Sequence, residues 1–284
     1  MSPASLPILR TSAELRTQTR AWRAKGDRIA MVPTMGALHA GHLSLVDEAK
    51  SRATQVVVSI FVNPTQFAPH EDFDRYPRTE EKDRAMLAAQ GKASAIYAPT
   101  AREMYPAGFA TSVMPVGPAL GLESDARPHF FAGVATVVCK LLLQCAPDVA
   151  VFGEKDFQQL AVIRRIVRDL NIPTEILGAA TLREADGLAM SSRNAYLTAE
   201  QRQVAGRLNG VMRELAGAVN SGAEPMAAAA RGKAQLLAAG FDAVDYLEVR
   251  DSETLSSALN PARAQRVLAA VRIGGIRLID NCAV

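Results

Sequence analysis

The sequence predicts an α/β protein, with a doubly wound, mostly parallel sheet followed by a second, smaller α+β domain. Three observations predict this fold class. Apolar runs alternate with helical segments through about the first 180 residues, as in parallel sheets with helical crossovers. The run QVVVSIFVN, residues 55–63, is β-branched and nearly uninterrupted, as in a strand buried on both faces. After residue 180, two helical segments lead into three strands.

Each element follows from a local signal. The first domain should contain, in order, a strand at 28–34, a helix at 42–52, a strand at 55–63, a helix at 79–91, a strand at 93–99, a helix at 134–145, a strand at 148–153 and a helix at 156–170. Asn63-Pro64 should stop the second strand, and Gly91 should end the second helix. The C-terminal part should contain helices near 198–221 and 224–240 and strands at 244–251, 266–273 and 276–281. Gly274-Gly275 between the last two strands is a hairpin signal. We therefore expect a Rossmann-like domain over residues 1–180 and a smaller domain over residues 181–284.

Composition disfavours several classes of function. The formal net charge is +3 with no basic stripe, which argues against nucleic-acid binding. No apolar run reaches about 18 residues, so we expect no membrane span. The three cysteines, Cys139, Cys145 and Cys282, are widely spaced, which favours a reducing cytoplasmic compartment and argues against a protein-held zinc site.

Two histidines stand three residues apart in PTMGALHAGHLSLVDEAK, residues 33–50. A metal site needs three or four ligands, and residues 28–46 contain no Asp, Glu or Cys beside His39 and His42. The pair lies where a strand gives way to a helix, which is where ligands bind in parallel sheets. Helix N-terminal N–H groups attract anions there, and Gly36 and Gly41 allow close backbone approach. We favour a phosphate site, with buried structural histidines as the alternative.

Two further segments suit phosphate binding. VFGEKDFQQL, residues 151–160, repeats the strand–glycine–helix pattern and places the compact cation of Lys155 at a strand end. Asp156 and Gln159 there have a structural alternative, because D-x-x-Q is also a capping-box pattern. GLAMSSRNAYLT, residues 187–198, offers hydroxyls and a guanidinium for phosphate oxygens, although a solvated turn is the default for such a segment.

A fourth segment carries neutral amides. Asn63 and Gln66 follow the strand at 55–63 and suit hydroxyl or carboxylate groups of a substrate. The alternative is a simple Asn-Pro turn.

Four motifs together closely resemble the pantothenate synthetases, or pantoate–β-alanine ligases. They are P-T-M-G-x-L-H-x-G-H, F-V-N-P-x-Q-F, G-E-K-D-x-Q-Q and D-G-L-A-M-S-S-R-N, in this order and spacing. The likeness covers about residues 25–200 and continues more loosely beyond. The H-x-G-H motif alone would indicate only the wider nucleotidyltransferase superfamily.

The resemblance implies an ATP-dependent ligase that joins (R)-pantoate to β-alanine through a pantoyl-adenylate, giving pantothenate, AMP and pyrophosphate. It implies that Mg²⁺ arrives with ATP and that the protein is a cytoplasmic homodimer. The phosphate clamp of residues 191–193 begins just past the domain boundary, so we expect the smaller domain to act as a lid.

The resemblance also implies roles for individual residues. The expected catalytic residues are His39, His42, Lys155 and Arg193, with His42 in the family's proton-donor position. The expected substrate residues, for pantoate and β-alanine, are Asn63, Gln66 and Gln159. The expected ATP-binding residues are Met35, Gly36, Ala37, Leu38, His39, His42, Gly153, Glu154, Lys155, Asp156, Leu182, Met190, Ser191, Ser192 and Arg193. No metal ligand is expected.

One segment departs from the family pattern. The family often has R-P-x-H-F-x-G where this chain reads RPHFFAG, residues 127–133. His129 comes one position early and Phe130 occupies the usual histidine position. We expect the site to work without that imidazole, with Phe130 against the apolar part of pantoate; the alternative is a remodelled loop that lets His129 reach the site.

Rival functions remain at this point. Another adenylyl-transferring H-x-G-H enzyme with a nucleotide-like or pantetheine-like substrate is the runner-up, and the Gln66 and Gln159 motifs disfavour it. An RNA-binding synthetase relative and a catalytically silent binding protein are the other two.

Overall fold

The computed structural model describes residues 6–67 and 73–284. Its internal contacts divide the chain into two compact units. The first comprises Met1–Glu154 and Val162–Ala179, and the second comprises Lys155–Ala161 and Ala180–Val284. The short segment Lys155–Ala161 thus follows a strand of the first unit but groups with the second.

The first unit is built on a six-stranded sheet in which every pair is parallel. Its strands are β1 (Ile8–Leu9), β2 (Ile29–Thr34), β3 (Gln55–Ile60), β4 (Ala95–Tyr97), β5 (Val149–Gly153) and β6 (Glu175–Ala179). Their order is β1-β4-β3-β2-β5-β6. The chain moves outward from β2 through β3 to β4 and returns to β5 on the other side of β2. This reversal creates a topological switch point beside the carboxyl ends of β2 and β5.

Seven helices accompany this sheet in the described part of the chain. They are α1 (Ser12–Arg23), α2 (Ala40–Arg52), α3 (Glu80–Gln90), α4 (Ala101–Met104), α5 (Glu123–Ala126), α6 (Phe130–Cys145) and α7 (Phe157–Asp169). As predicted, α3 ends at Gly91, which takes a left-handed φ of 70°. The predicted strand over 55–63 ends early, at Ile60, because Asn63 begins a 3₁₀ turn over Pro64–Gln66. Helix α6 begins at Phe130, ahead of its predicted start at residue 134.

The core of the first unit places the start of α2 at the carboxyl end of the sheet. Leu45, Val46 and Ala49 of α2 are buried in one cluster with β2, β3 and β5 side chains such as Val32 and Val151. Burying each large aliphatic side chain contributes about 1.5–3 kcal/mol. The amphipathic face of α2 therefore fixes its N-terminus beside the carboxyl end of β2.

The second unit has a three-stranded antiparallel sheet, in the order β7-β8-β9. Its elements are α8 (Ala199–Ala205), α9 (Arg207–Asn220), α10 (Pro225–Ala238), β7 (Ala243–Asp251), β8 (Gln265–Ile273) and β9 (Ile276–Ala283). Gly274 and Gly275 join β8 to β9 with φ values of 56° and 77°, which is why two glycines stand there. The predicted helix over 198–221 is interrupted at Gly206, where a side chain would overlap the Asp186 carboxylate.

Together the two units confirm the predicted fold class, a mostly parallel α/β sheet and a separate, smaller α+β part. Across residues 6–67 and 73–284, no helix combines the length and apolar character needed to cross a membrane.

Candidate active site

The loop that joins β2 to α2, residues Met35–His39, lies at the switch point. Gly36 and Ala37 both take positive φ values, 82° and 50°. His39 then adopts an extended conformation and caps α2. The loop thus delivers the N-terminus of α2, with its N–H groups, to the edge where parallel sheets bind ligands.

His39 and His42 cap this helix reciprocally. The Nδ1 atom of His39 accepts a hydrogen bond from the Gly41 N–H at 3.1 Å, and the Nδ1 atom of His42 accepts one from the His39 N–H at 3.3 Å. The ring centroids are 4.1 Å apart. Because Nδ1 accepts in both rings, a neutral imidazole here carries its proton on Nε2. The two imidazoles are therefore fixed at the N-terminus of α2, where helix N–H groups favour anions.

Both histidines are half-buried rather than enclosed in a core. Within the described ranges, no three His, Cys, Asp or Glu side chains are grouped so that they could hold a metal ion. The capping role is one that the spacing did not reveal, since imidazole is an uncommon helix cap.

Asn63, Gln66 and Met35 form a connected chain in the first unit. The Asn63 Nδ2 atom donates to the Gln66 Oε1 atom at 3.1 Å, and the Gln66 Nε2 atom donates to the Met35 sulfur at 3.1 Å. The Tyr105 hydroxyl donates to Asn63 Oδ1 at 2.8 Å, and Arg127 Nη2 donates to the Gln66 carbonyl at 2.9 Å. Both backbone and side chain of Gln66 are thus fixed beside the β2–α2 loop.

Gly153 ends β5 next to α2. A Cβ atom at this position would meet only Leu45 of α2, at 3.9 Å. Glu154 follows in a single 3₁₀ turn over Glu154–Asp156. All of these predicted residues therefore belong to the first unit, namely those of the β2–α2 loop together with Asn63, Gln66, Gly153 and Glu154.

Lys155 belongs to the second unit, and its backbone is anchored there. The Asn281 Nδ2 atom on β9 donates to the Lys155 carbonyl at 2.9 Å, and Arg266 in turn donates to Asn281 Oδ1. The Arg266 guanidinium lies 3.8 Å from the ring centroid of Phe157. Lys155 Nζ is 3.8 Å from Asp156 Oδ2, at the limit of an ion pair. This arrangement fixes the turn while leaving the lysine side chain 21% exposed.

The remaining predicted residues also lie in the second unit. Met190 donates its N–H to the Leu182 carbonyl at 3.0 Å, so these two predicted ATP contacts are adjacent. Ser191 caps the 3₁₀ turn Ser192–Tyr196, and its Oγ atom accepts from the Arg193 N–H at 3.3 Å. Gln159 is half-buried in the first turn of α7. The roles of these residues toward ATP and pantoate stay predictions.

The RPHFFAG segment separates its histidine from its phenylalanine. Phe130 lies under the Arg127 guanidinium, 4.1 Å from Cζ to the ring centroid. His129 instead lines a cavity of about 650 Å³ together with Tyr105 and Phe109. Neighbouring positions at the start of α6 therefore face different surroundings, and the expectation that the site works without His129 stays a prediction.

Four residues that support the site are not predicted from the sequence. Asp83, Tyr105, Arg127 and Asn281 each donate to or accept from a predicted site residue or its loop. Arg127 stands out in the sequence only as part of the RPHFFAG segment. The other three carry no local signal, because each contacts a segment distant in sequence.

Comparison with known proteins agrees with these motifs. The family model described as pantoate-beta-alanine ligase matches residues 7–283. The pantothenate synthetase of Paramagnetospirillum magneticum is 56% identical over 277 residues, which cover 98% of this chain and 97% of the relative. That of Mesorhizobium japonicum is 54% identical over 274 residues, covering 96% of each chain.

Solved structures show the same likeness. Pantothenate synthetase from Thermus thermophilus matches with a TM-score of 0.90 and 45% identity, covering 98% of this chain and 99% of the other. Pantoate-beta-alanine ligase from Francisella tularensis, complexed with beta-gamma ATP and beta-alanine, matches with a TM-score of 0.83 and 33% identity, covering 98% and 97%. With a family model spanning nearly all of its residues and relatives above 50% identity, this chain belongs to the pantoate–β-alanine ligase family.

Proposed function

We propose that this chain catalyses the ATP-dependent condensation of (R)-pantoate with β-alanine, giving pantothenate, AMP and pyrophosphate. The observation that carries the proposal is the β2–α2 loop. It brings a helix N-terminus capped by two imidazoles to the switch point, in a chain of this ligase family. A carboxylate is a poor acyl donor, so ATP is used to convert it into a pantoyl-adenylate.

The first step transfers the adenylyl group. The pantoate carboxylate oxygen attacks the α-phosphorus, the bond to the pyrophosphate oxygen breaks, and negative charge increases on the phosphate oxygens. Stabilising this charge needs positioned donors and cations. We assign that role to the imidazoles of His39 and His42, to Lys155 and to Arg193. Ser191 and Ser192 add hydroxyl donors.

Pantoate orientation depends on neutral amides. Asn63 is 1% exposed and Gln66 9% exposed, and the Asn63 amide supports the Gln66 side chain. A fixed amide suits the hydroxyl and carboxylate groups of pantoate, because it donates and accepts without a net charge that would compete with the phosphate clamp. We assign Gln66 and Gln159 to pantoate, with Gln66 also near β-alanine.

In the second step the β-alanine amine attacks the carbonyl carbon of the adenylate and AMP leaves. No covalent enzyme intermediate is needed. The cysteine side chains fit this view, because burial raises the pKa of the Cys139 thiol and raises that of Cys145 to about 12. We propose that Mg²⁺ enters as part of the substrate MgATP, held mostly by phosphate oxygens. The imidazole and N–H donors of the β2–α2 loop suit phosphate oxygens rather than a metal ion.

We also propose that the chain forms a cytoplasmic homodimer. Three apolar side chains of one segment in the first unit are strongly exposed, namely Met114, Val116 and Leu120, and exposed apolar surface of this kind favours association. The three cysteines are free thiols, as expected in a reducing compartment. Analytical ultracentrifugation of the wild-type chain and of Met114→Asp tests the dimer, and cell fractionation tests the location.

The decisive experiment measures pyrophosphate release with ATP and pantoate, with and without β-alanine. We expect positional isotope exchange within ATP when pantoate is present and β-alanine is absent, and pantothenate only when all three substrates are present. Absence of exchange despite proven binding of both ligands would indicate direct condensation. Release driven by other acids instead of pantoate would favour another adenylyl-transferring enzyme.

A further inference from the structure

We infer that Asp83 is a positioning residue that holds the β2–α2 loop in its ATP-binding conformation. The inference rests on the proposed function only in assigning ATP to this loop. Asp83 lies in the first turn of α3, a helix that contributes no predicted site residue.

The Asp83 carboxylate is engaged on both oxygens. Its Oδ2 atom accepts from the Ala37 N–H at 3.0 Å, and its Oδ1 atom accepts from the Leu38 N–H at 2.9 Å. The Thr79 hydroxyl donates to Oδ1 at 3.2 Å. With the side chain only 1% exposed, these bonds form in a low-dielectric setting where hydrogen bonds to a charged acceptor are strong.

The loop needs such an anchor because its backbone is strained. Ala37 takes a φ of 50°, a conformation in which an L-residue brings its Cβ close to its own carbonyl oxygen. Strained residues of this kind persist only when their surroundings hold them in place. The bonds to Asp83 involve the N–H groups of Ala37 and of the next residue, so the carboxylate restrains the strained position directly.

Gly36 completes the fit between loop and carboxylate. A Cβ atom at this glycine would lie 3.1 Å from Asp83 Oδ2 and 3.1 Å from Ile60 Cγ2, closer than ordinary contacts. Its φ of 82° also favours glycine. Because its oxygens already bind the loop and its side chain is enclosed, Asp83 acts through the loop rather than by touching substrate.

The test replaces Asp83 with asparagine, a near-isosteric residue. An amide can accept from one of the two N–H groups but must point its own NH₂ at the other. We expect Asp83→Asn to lower kcat/KM for ATP by about tenfold to a hundredfold through a raised KM, as for loss of a buried, charge-assisted bond. The matched control is Glu80→Gln, which removes a negative charge from the same first turn at an exposed position paired with Arg10, and should stay within about twofold of wild type.

A second-site variant separates positioning from simple stability. Glycine at position 37 removes the cost of the left-handed conformation, so Asp83→Asn/Ala37→Gly should recover at least about fivefold of the lost kcat/KM. This gain should exceed the change that Ala37→Gly makes in the wild-type background. A purely structural role for Asp83 would lower the melting temperature without raising the KM for ATP, and Ala37→Gly would restore nothing; either result overturns the inference.

Hydrogen exchange gives a readout that does not depend on the reaction. The Ala37 and Leu38 amides should exchange at least about tenfold faster in Asp83→Asn than in Glu80→Gln. Unchanged exchange overturns the inference even if activity falls, whereas faster exchange in a protein that never makes pantothenate would separate it from the proposed function. Should Asp83→Asn not fold, Gly36→Ala displaces the loop with Asp83 in place, and the same rise in KM and in exchange is required.

Discussion

Gly133 permits the close approach of α6 to the 3₁₀ turn that carries Gln66. A Cβ atom built at Gly133 would overlap the Thr65 carbonyl oxygen and lie 2.7 Å from the Thr65 carbonyl carbon and 2.9 Å from the Gln66 nitrogen. The Asn63 Nδ2 atom also donates to the Gly133 carbonyl at 3.2 Å. Gly133→Ala should therefore displace the turn, because backbone atoms, unlike side chains, cannot relieve an overlap by changing rotamer.

The size of the effect follows from these distances. Ordinary contacts begin near 3.4 Å, so the Thr65–Gln66 backbone must move by about 0.7 Å or more. Overpacking of this kind costs about 1–3 kcal/mol of folding free energy. A misplacement of about 1 Å can reduce catalysis by about 10²-fold. We therefore expect the free energy of unfolding to fall by about 1–3 kcal/mol and kcat/KM for pantoate to fall about tenfold to a hundredfold.

The assay combines urea denaturation with steady-state kinetics in which pantoate is varied. Gly217→Ala is the matched control, since nothing lies within 4 Å of a Cβ at this helical position. It should increase stability by about 0.5–1 kcal/mol, because alanine loses less backbone entropy in a helix than glycine does. If Gly133→Ala is as stable as wild type and keeps its KM for pantoate, the close approach does not position Gln66 and the reasoning fails.

Three further predictions concern the assigned residues. Lys155→Ala should lower kcat for pyrophosphate release by about 10²–10³-fold with little change in melting temperature, as for one lost transition-state donor. The control is Lys92→Ala, at a surface lysine paired with Asp47, which should change neither quantity. Near-normal turnover of the Lys155 variant would show that Lys155 is not part of the site. His129→Ala should keep most of its kcat/KM for β-alanine, whereas a loss of about a hundredfold, or 2.7 kcal/mol, in a folded variant would place His129 in the site. Small-angle scattering with a non-hydrolysable ATP analogue should show a smaller radius of gyration if the C-terminal domain closes as a lid, and an unchanged value at saturation would count against closure.

The elements predicted from the sequence are those whose signals are local and strong. The strand at β3, the helix ending at Gly91 and the Gly274-Gly275 hairpin follow from β-branched residues, a left-handed cap and a turn that needs positive φ. Strands β1 and β6 are not among the predicted elements. β1 has two residues and β6 contains a glycine, so neither shows a clear apolar pattern, and each exists because a neighbouring strand pairs with it.

The motif residues can be selected from the sequence because their side-chain types indicate the chemistry that they can perform. The residues that hydrogen-bond to them and hold them in place cannot. Asp83 reads in sequence as one of several acidic residues that favour a helix N-terminus, beside Glu80 and Glu81. Only the fold shows that it alone of the three is enclosed against the loop. Tyr105 similarly stands 42 residues from Asn63, and no period or spacing relates the two.

The hydrogen bond from Asn281 to the Lys155 carbonyl has a consequence for the order of events during synthesis. Its partners are 126 residues apart, so a ribosome adding about 5–20 residues per second reaches Asn281 about 6–25 s after Lys155. Strands β2 to β6 are all made before residue 180 and can pair in that interval. The nascent chain can therefore complete its parallel sheet well before the backbone of Lys155 is anchored.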